Sequence, residues 1–237
     1  MNTATMTIGV IIPTLNEAST LSRTLSTLAL LYMDEVIIVD GGSKDRTVDI
    51  ARAHIEATHP MTGQVISAEK GRARQMNAGG FSAKSDILVF LHADTHLPQN
   101  ARDVIEDMMS GSEYIGGRFD VQFEIDHGYA WLISRMMNWR SRWSQIFTGD
   151  QTMCIRRTTF QELGGFSDIP LMEDIEFSYR LKQLGPVKAL KSKVTTSFRR
   201  WEQQGPLRTI IQMWAFRFLY WLGMSPERLN QFYGTIR

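Results

Sequence analysis

The residues best suited to chemistry follow one apolar stretch, Leu88–Pro98, with the sequence LVFLHADTHLP. The hydrophobic run Ile87–Leu91 predicts a buried strand, and it ends abruptly in His92, Ala93 and Asp94. Residues two apart in an extended chain point to the same side, so this imidazole and carboxylate could hold one divalent metal ion. The alternative interpretation is that Asp94 begins a turn and that His92 is a surface residue.

Alternating strands and helices in the first half predict a parallel α/β sheet wound in the Rossmann manner. Apolar, largely β-branched runs predict buried strands at Ile8–Ile12, which Pro13 ends, and at Val36–Val39, Val65–Ala68 and Ile87–Leu91. Helices are predicted between them, among others at Asp45–Ala57 and Gly71–Phe81. Ligands of such sheets bind outside the carboxyl ends of the strands. No G-x-G-x-x-G follows the first strand, so the phosphate loop of dinucleotide-binding proteins is missing.

The second half has a less regular pattern. The predicted helices are Ala101–Met109, His127–Phe147 and Leu171–Leu184, and the predicted strands are Tyr114–Ile125, Met153–Ile155, Val187–Leu190 and Val194–Phe198. The helix at Leu171 carries Glu173 and Asp174 near its start, where the helix dipole favours acidic groups. From Gly205 onward one long helical pattern is broken around Gly223 and Pro226.

Composition excludes several classes of protein. The chain has 237 residues, 43% of them apolar, and a net charge of +1, which gives no reason to expect nucleic acid as a partner. The single cysteine, Cys154, excludes an intrachain disulfide and fits a reducing, cytoplasmic compartment, and we expect it in the core. We expect no signal peptide, and the apolar run Ile210–Leu222 is too short to span a bilayer.

Six short motifs occur in one order along the chain. They are PTLNEA at 13–18, VDGGSKDRT at 39–47, GRARQMNAG at 71–79, LHADT at 91–95, GGF at 164–166 and MEDIEFSYRL at 172–181. Their order and spacing, over about residues 7–201, resemble the family-two glycosyltransferases with the GT-A fold. The RRW block at 199–201, followed by a tryptophan-rich tail, resembles a bacterial subgroup of transferases associated with radical-SAM or selenoprotein-type domains.

The resemblance implies a fold and a reaction. The fold is α/β of the GT-A type, with a mixed, mainly parallel central sheet flanked by helices and a helical C-terminal tail. One domain covers 1–237, with a nucleotide-sugar-binding half at 1–98, an acceptor-binding half at 99–204 and the tail at 205–237. Members of the family transfer a sugar from a nucleotide-diphosphate donor, usually UDP-linked, to an acceptor with inversion.

The family's Asp-x-Asp motif, which holds Mn²⁺ or Mg²⁺ against the diphosphate, maps onto His92, Ala93 and Asp94. His92 replaces the first aspartate of the motif. An imidazole ligand would shift the preference toward Mn²⁺. The alternative is a hydrogen bond from His92 to the ribose, which leaves Asp94 as the metal ligand.

Other donor contacts follow from the remaining motifs. Asp40 maps onto the aspartate that accepts a hydrogen bond from the uracil N–H, and arginines 72 and 74 map onto basic groups that face the diphosphate. The segment along the nucleoside contains Pro13, Thr14, Asn16 and Glu17, and the further contacts are Gly42, Arg72, Arg74 and Asn77. The alternatives are a helix N-cap for Asn16 and a solvated helix face for the two arginines.

The resemblance implies that Asp174 is the catalytic base that takes the acceptor proton, with Glu173 raising its pKa or orienting the acceptor. The alternative is that both acids only complement the helix N-terminus. The implied acceptor-binding residues are Asp150 and Gln151, at the acceptor floor, and Arg200 and Trp201, where the tryptophan would stack on a sugar face.

The tail at 205–223 allows two interpretations. It is either a core or dimer helix, or an interfacial helix with Arg208, Arg217 and Arg228 toward anionic lipid at the inner face of the membrane. The second interpretation makes a lipid acceptor an alternative to a small molecule. Two other functions stay open. One is a sugar-phosphate nucleotidyltransferase, although the usual glycine-rich basic loop after the first strand is missing, and the other is a nucleotide-sugar-binding protein without turnover.

Overall fold

The computed structural model describes residues 6–57, 62–111 and 113–234. Its strands are β1 (Ile8–Thr14), β2 (Glu35–Asp40), β3 (Thr62–Ser67), β4 (Ile87–Phe90), β5 (Thr95–His96), β6 (Gly116–Phe123), β7 (Met153–Arg156) and β8 (Val187–Thr196). Its helices are α1 (Ala18–Ala29), α2 (Thr47–Ala57), α3 (Arg72–Ser82), α4 (Ala101–Ser110), α5 (Gly128–Ser144), α6 (Arg157–Glu162), α7 (Glu173–Leu184), α8 (Arg199–Gln204), α9 (Pro206–Trp221) and α10 (Pro226–Gly234), and a 3₁₀ turn covers Gly149–Gln151.

The strands form one mixed sheet in the order β3-β2-β1-β4-β7-β6-β8-β5. Strands β1 to β4 pair in parallel, which confirms the winding predicted for the first half. β7 is antiparallel to β4 and to β6, while β6 and β8 are parallel. The carboxyl ends of β1, β2 and β4 therefore lie side by side at one edge.

Two apolar clusters cover the two faces of this sheet. Because side chains alternate along a strand, Val10 and Ile12 of β1 join one cluster and Ile11 joins the other. The first cluster packs against α1, α4 and α5, and the second packs against α3, α6 and α7. The central strands read as continuous apolar runs because both of their faces are covered. Cys154 is fully buried, as predicted, and burial raises the pKa of its thiol.

Several predicted boundaries are wrong, among them the start of β3, which is Thr62 and not Val65, and the three that follow. Pro13 does not end β1, which runs to Thr14; its missing N–H is tolerated because β1 pairs with β4 only as far as Ile11. The two strands predicted between 187 and 198 are one strand, β8, which ends at Thr196. It pairs with β6 on both sides of a register shift that lies between Ala189 and Lys193. The helix predicted over His127–Phe147 ends at Ser144, because Gln145 has a φ of 57°.

The tail divides into α9 and α10 where the helical pattern was predicted to break. Gly223 has a φ of 91°, a left-handed conformation that glycine adopts without steric cost. Within the described ranges, the chain contains no helix with the length and hydropathy needed to cross a bilayer.

Candidate functional site

A pocket lies at the carboxyl edge of the parallel strands, between the sheet and the start of α7. Its lining combines strand ends, α3, the 3₁₀ turn and α7, and consists of Pro13, Arg72, Met76, Phe90, His92, Gly149, Met153, Phe166, Glu173 and Asp174. Five of these residues were predicted as site residues from separate motifs: Pro13, Arg72, His92, Glu173 and Asp174. The fold therefore brings together groups that are up to 161 positions apart in the sequence.

The loops after β1 and β2 are joined by hydrogen bonds. The side-chain Oδ1 of Asn16 accepts a bond from the backbone N–H of Lys44 (2.8 Å), and the Asn16 N–H donates to Ser43 Oγ (2.8 Å). Asn16 has a φ of 56°, and the helix cap position belongs to Glu17, so the alternative of a helix N-cap for Asn16 is wrong. The polar groups of Asn16 hold the two loops in one position.

Asp40 organises the turn that follows β2. Its Oδ2 accepts hydrogen bonds from the backbone N–H groups of Gly42 and Ser43, each 2.9 Å long, and its Oδ1 accepts one from Ser43 Oγ. Gly42 has a φ of 91°, which the tight turn requires. Thr14 lies opposite Asp40 in the sheet, and its hydroxyl contacts Val39 O at 3.4 Å.

Two predicted donor contacts do not line the pocket. Arg74 forms surface ion pairs with Asp168 (2.8 Å) and Glu69 (2.6 Å), so its guanidinium is engaged away from the pocket. The Asn77 amide donates to Phe166 O (2.7 Å), and its Oδ1 accepts from the Phe166 N–H (2.8 Å). Asn77 therefore holds the GGF loop in place, and the structure does not bring Arg74 or Asn77 to a diphosphate.

The chain turns at His92, so the extended geometry assumed for the His92–Asp94 pair is wrong. The Thr95 N–H donates to His92 O at 3.1 Å, and Thr24 Oγ1 donates to Ala93 O at 2.7 Å. The turn agrees with the alternative interpretation for Asp94, but His92 is not a surface residue. Its Nδ1 lies 3.5 Å from Asp150 Oδ1, and its buried Nε2 has no hydrogen-bond partner among the described residues.

The donor set allows a test of the implied metal. In the part of the chain that the structure describes, no group of three or more His, Cys, Asp or Glu side chains could hold an ion. His92 faces Gly149 and Asp150 and does not fit a ligand shared with Asp94. Asp94 is half-buried and its carboxylate contacts the Thr95 hydroxyl at 3.4 Å. One carboxylate fits Mg²⁺ or Mn²⁺ where phosphate and water oxygens complete the coordination.

The acidic pair begins helix α7 and differs in environment. Asp174 Oδ2 accepts a hydrogen bond from the Gly149 N–H (2.9 Å), and its Oδ1 accepts one from the Ile175 N–H (2.8 Å). Glu173 is only 5% exposed. Burial raises the pKa of Glu173, and Asp174 raises it further, while Arg72 opposes the shift. The two acids therefore differ in that burial disfavours the charged form of Glu173, whereas two backbone N–H groups hold the Asp174 carboxylate.

Arg72 is the cation closest to this pair on the donor side. Its Nη1 lies 3.7 Å from Glu173 Oε1. Partial burial lowers the pKa of Arg72, but the attraction of Glu173, Asp150 and Asp174 outweighs it and raises this pKa above its usual value. One permanent cation thus stands among three carboxylates, and half of its side chain is open to solvent.

The predicted acceptor contacts are only partly supported. Asp150 lies beside His92 at the pocket, but Gln151 is fully buried and its Nε2 donates to Ser141 Oγ at 2.8 Å. Trp201 is buried against Phe123 and Phe198 and does not line this pocket, so the structure does not bring it to the donor sugar. The side chain of Arg200 lies outside the described residues.

Two arginines that the sequence did not place at the site lie in the electrostatic surroundings of Asp174. They are Arg140 of α5 and Arg217 of α9, and the pKa of each is influenced by that carboxylate. One of the two interpretations of the tail placed Arg217 toward lipid, whereas the structure half-buries this residue in the field of Asp174 and Asp150. The sequence signal for them was one arginine inside each of two aromatic-rich helical runs. A cation in such a position is costly unless it is paired or hydrogen-bonded.

Solved structures with the same architecture bind nucleotides. The chain is similar to TarS residues 1–349 of S. aureus in complex with UDP, with a TM-score of 0.68 at 18% identity over 81% of this chain and 60% of that chain. It is also similar to the mannosyltransferase PcManGT of Pyrobaculum calidifontis in complex with GDP-Man and Mn²⁺, with a TM-score of 0.63 at 22% identity over 82% of this chain and 58% of that chain. These similarities show the GT-A fold.

Sequence comparison gives the family. The probable glycosyltransferase YdaM of Bacillus subtilis is 27% identical over 219 residues, which are 83% of this chain and 50% of that protein. The chain thus spans about half the length of this curated relative. The model of glycosyl transferase family 2 matches residues 9–164, from β1 to Gly164, the first residue of the GGF motif. This match covers more than half of the sequence, and the chain belongs to glycosyl transferase family 2.

Proposed function

We propose that this protein transfers a sugar from a nucleotide-diphosphate donor to an acceptor hydroxyl, with inversion at the anomeric carbon. The observation that carries the proposal is the meeting of Arg72, from the donor half, with Glu173 and Asp174, from the acceptor half, in one pocket. A guanidinium suits diphosphate oxygens, and an inverting transfer needs a carboxylate that accepts the acceptor proton.

The nucleoside is proposed to lie along the joined loops after β1 and β2. Asp40 and Gly42 would contact the base, and the segment containing Pro13, Thr14, Asn16 and Glu17 would run along the nucleoside. The hydrogen bonds from Asn16 to the second loop support this position, since they make the two loops one surface. A UDP-sugar is the first donor to test, and GDP-mannose is the second.

Asp94 is proposed to hold Mn²⁺ or Mg²⁺, and His92 is not assigned to the metal. The half-buried position of Asp94 after β4 supports the assignment, as does its long contact with the Thr95 hydroxyl at 3.4 Å, which leaves carboxylate oxygen available to an ion. When bound, the ion neutralises negative charge that develops on the leaving diphosphate. His92, whose buried Nε2 is unpaired among the described side chains, is instead proposed to donate or accept a hydrogen bond inside the pocket.

Asp174 is proposed as the base. The acceptor oxygen forms a bond to the anomeric carbon, its proton passes to the Asp174 carboxylate, and the bond from that carbon to the diphosphate oxygen breaks. The hydrogen bonds from Gly149 and Ile175 support this role because they fix the carboxylate before substrate arrives. Glu173 faces Arg72 on the donor side, with 3.7 Å between Oε1 and Nη1, so Asp174 is the acid of the pair that is proposed to meet the acceptor.

The tail is proposed to approach a membrane surface through residues 205–223, at the cytoplasmic face. Large apolar side chains of α9 support this, because Ile211, Trp214, Phe218 and Trp221 are each more than half exposed. A homodimer that covers the same face is the alternative, and analytical ultracentrifugation distinguishes the two. Membership of the radical-SAM or selenodomain-associated subgroup stays a prediction.

The experiment that tests the transfer uses the whole chain with a panel of UDP- and GDP-sugars, with and without Mn²⁺ or Mg²⁺. Nucleoside diphosphate release and the melting temperature are both recorded. Metal-dependent release that Asp94→Asn and Asp174→Asn abolish supports the proposal. A raised melting temperature without release of nucleoside diphosphate, whichever acceptor is added, would instead identify a binding protein. Release of pyrophosphate from a nucleoside triphosphate and a sugar phosphate would identify a nucleotidyltransferase.

A further inference from the structure

A groove separates α5 from the tail helix α9 on the acceptor side of the molecule. Its walls are apolar except at one place, and they consist of Ile133, Met136, Met137, Trp201, Ile210, Met213 and Trp214 together with Arg140 and Arg217. We refer to this feature as the α5–α9 groove. It is distinct from the donor pocket, with which it shares no lining residue.

The two arginines of the α5–α9 groove carry charge that nothing in the described chain neutralises by direct contact. The Nε and Nη2 atoms of Arg140 are buried without a hydrogen-bond partner, and neither guanidinium forms an ion pair within 4.0 Å of a described carboxylate. Burial, together with the nearby Arg217, lowers the pKa of Arg140 to about 9. Two adjacent, poorly solvated cations are costly, and an anion between them removes that cost.

The surroundings of the groove are those of a surface that meets hydrocarbon. On α9, Trp214 is 53% exposed and Trp221 is 72% exposed, and on α5, Trp139 is 71% exposed and Trp143 is 82% exposed. Aromatic rings of this kind favour the boundary between headgroups and acyl chains. A soluble anion alone would gain nothing from the apolar walls, whereas an amphiphile with an anionic headgroup matches both the arginines and the walls.

We propose that the α5–α9 groove binds the lipid acceptor of the transfer reaction, an amphiphile whose headgroup carries the acceptor hydroxyl and a phosphate-class group. The phosphate-class group is held between Arg140 and Arg217, and the hydrocarbon chain lies along the apolar walls. This inference rests on the proposed function for its reaction, but the binding site stands on the groove itself. Both arginines lie in the field of Asp174, so a headgroup held by them is presented to the proposed base. Binding of the anionic headgroup would thus neutralise the charge of Arg140 and Arg217, which no carboxylate of the donor pocket contacts directly.

The test measures binding of the full chain to phosphatidylcholine vesicles with and without phosphatidic acid, in the absence of any nucleotide. We expect phosphatidic acid to strengthen binding, and we expect the double variant R140Q/R217Q to weaken it about 10-fold or more, since charge-assisted hydrogen bonds are lost. The matched control is R52Q/K84Q, which also removes two positive charges, from exposed residues that do not line the groove. It should change the affinity by less than about 2-fold.

Several results would overturn the inference. They are equal losses in R52Q/K84Q and R140Q/R217Q, unchanged binding in R140Q/R217Q, or binding of glycerol 3-phosphate as tight as that of phosphatidic acid. A dimer that forms through the groove and excludes lipid would also overturn it. Circular dichroism checks the fold of each variant, and R217K tests whether retained charge restores part of the affinity. Sugar transfer without lipid binding refutes this inference alone, whereas lipid binding without transfer to any acceptor refutes the proposed function alone.

Discussion

Gly149→Ala should weaken both the stability and the catalytic geometry through a single steric contact. A Cβ at this position would lie 2.4 Å from His92 Nε2, whereas ordinary contacts begin at about 3.4 Å. The imidazole or the turn must therefore move by about 1 Å. Overpacking of this kind costs about 1–3 kcal/mol in free energy of unfolding. Because the Gly149 N–H donates to Asp174, the same shift should lower kcat about 10²-fold.

Urea unfolding and nucleoside diphosphate release measure the two effects separately. In a double-mutant cycle, His92→Ala should remove the clash and restore most of the lost free energy in the Gly149→Ala background, which gives a coupling of about 1–3 kcal/mol. Gly111→Ala is the matched control, since the nearest atom to its Cβ would be 3.8 Å away. The steric reasoning is refuted if the two substitutions at 149 and 92 are additive, or if Gly149→Ala is as stable as Gly111→Ala.

Three further predictions concern the charged groups and the thiol. Asp174→Asn should lower kcat by about 10²- to 10⁴-fold with little change in the donor KM, because a general base acts in the transition state, as steady-state kinetics would show. Because the pKa of Glu173 is raised, the folded state binds a proton more tightly than the unfolded chain does. The free energy of unfolding should therefore fall as pH rises above about 4.5, and it should level off once the folded group is ionised. Glu173→Gln should remove this decline, which urea titrations at a series of pH values would measure. Cys154 should react with a thiol reagent only after unfolding, as a colorimetric assay in urea would measure, since its thiol is buried and its pKa is raised.

Each of these expectations has an outcome that contradicts it. Wild-type turnover in Asp174→Asn would remove Asp174 from the reaction. A free energy of unfolding that falls equally with pH in Glu173→Gln would assign the decline to another group. Rapid labelling of native Cys154 would mean that the strand pairing around β7 opens readily in solution.

The parallel half of the fold was predictable because its strands are buried on both faces. Continuous apolar runs such as Val36–Val39 and Ile87–Leu91 are typical of strands in a sheet that is covered on both faces. In a parallel sheet, the polar residues that follow these strands then lie at the carboxyl edge. Arg72, Glu173 and Asp174 were each predicted as site residues from motifs that occur in a fixed order, but the ion pair between Arg72 and Glu173 was not predicted. These features depend on local composition or on the family pattern, and both are present in the sequence itself.

The errors at the site have a common cause in contacts between distant residues. Arg74 is turned away by Asp168, which is 94 positions away, and the turn at His92 is fixed by hydrogen bonds that an extended-strand model does not contain. Trp201 was predicted to meet a sugar because tryptophan serves in both settings, and only packing against Phe198 decides for the core. No local pattern in the sequence gives these partners.

The two hydrogen bonds to Asp174 also have an entropic consequence. A free carboxylate samples several rotamers, and immobilising a side chain costs on the order of 1 kcal/mol at the moment when it becomes ordered. Because backbone N–H groups of α7 and of the 3₁₀ turn already hold both oxygens, this ordering is completed when the chain folds. In the proposed reaction, each cycle would begin with the Asp174 side chain already in one rotamer, and no binding energy from the acceptor would be spent on ordering it.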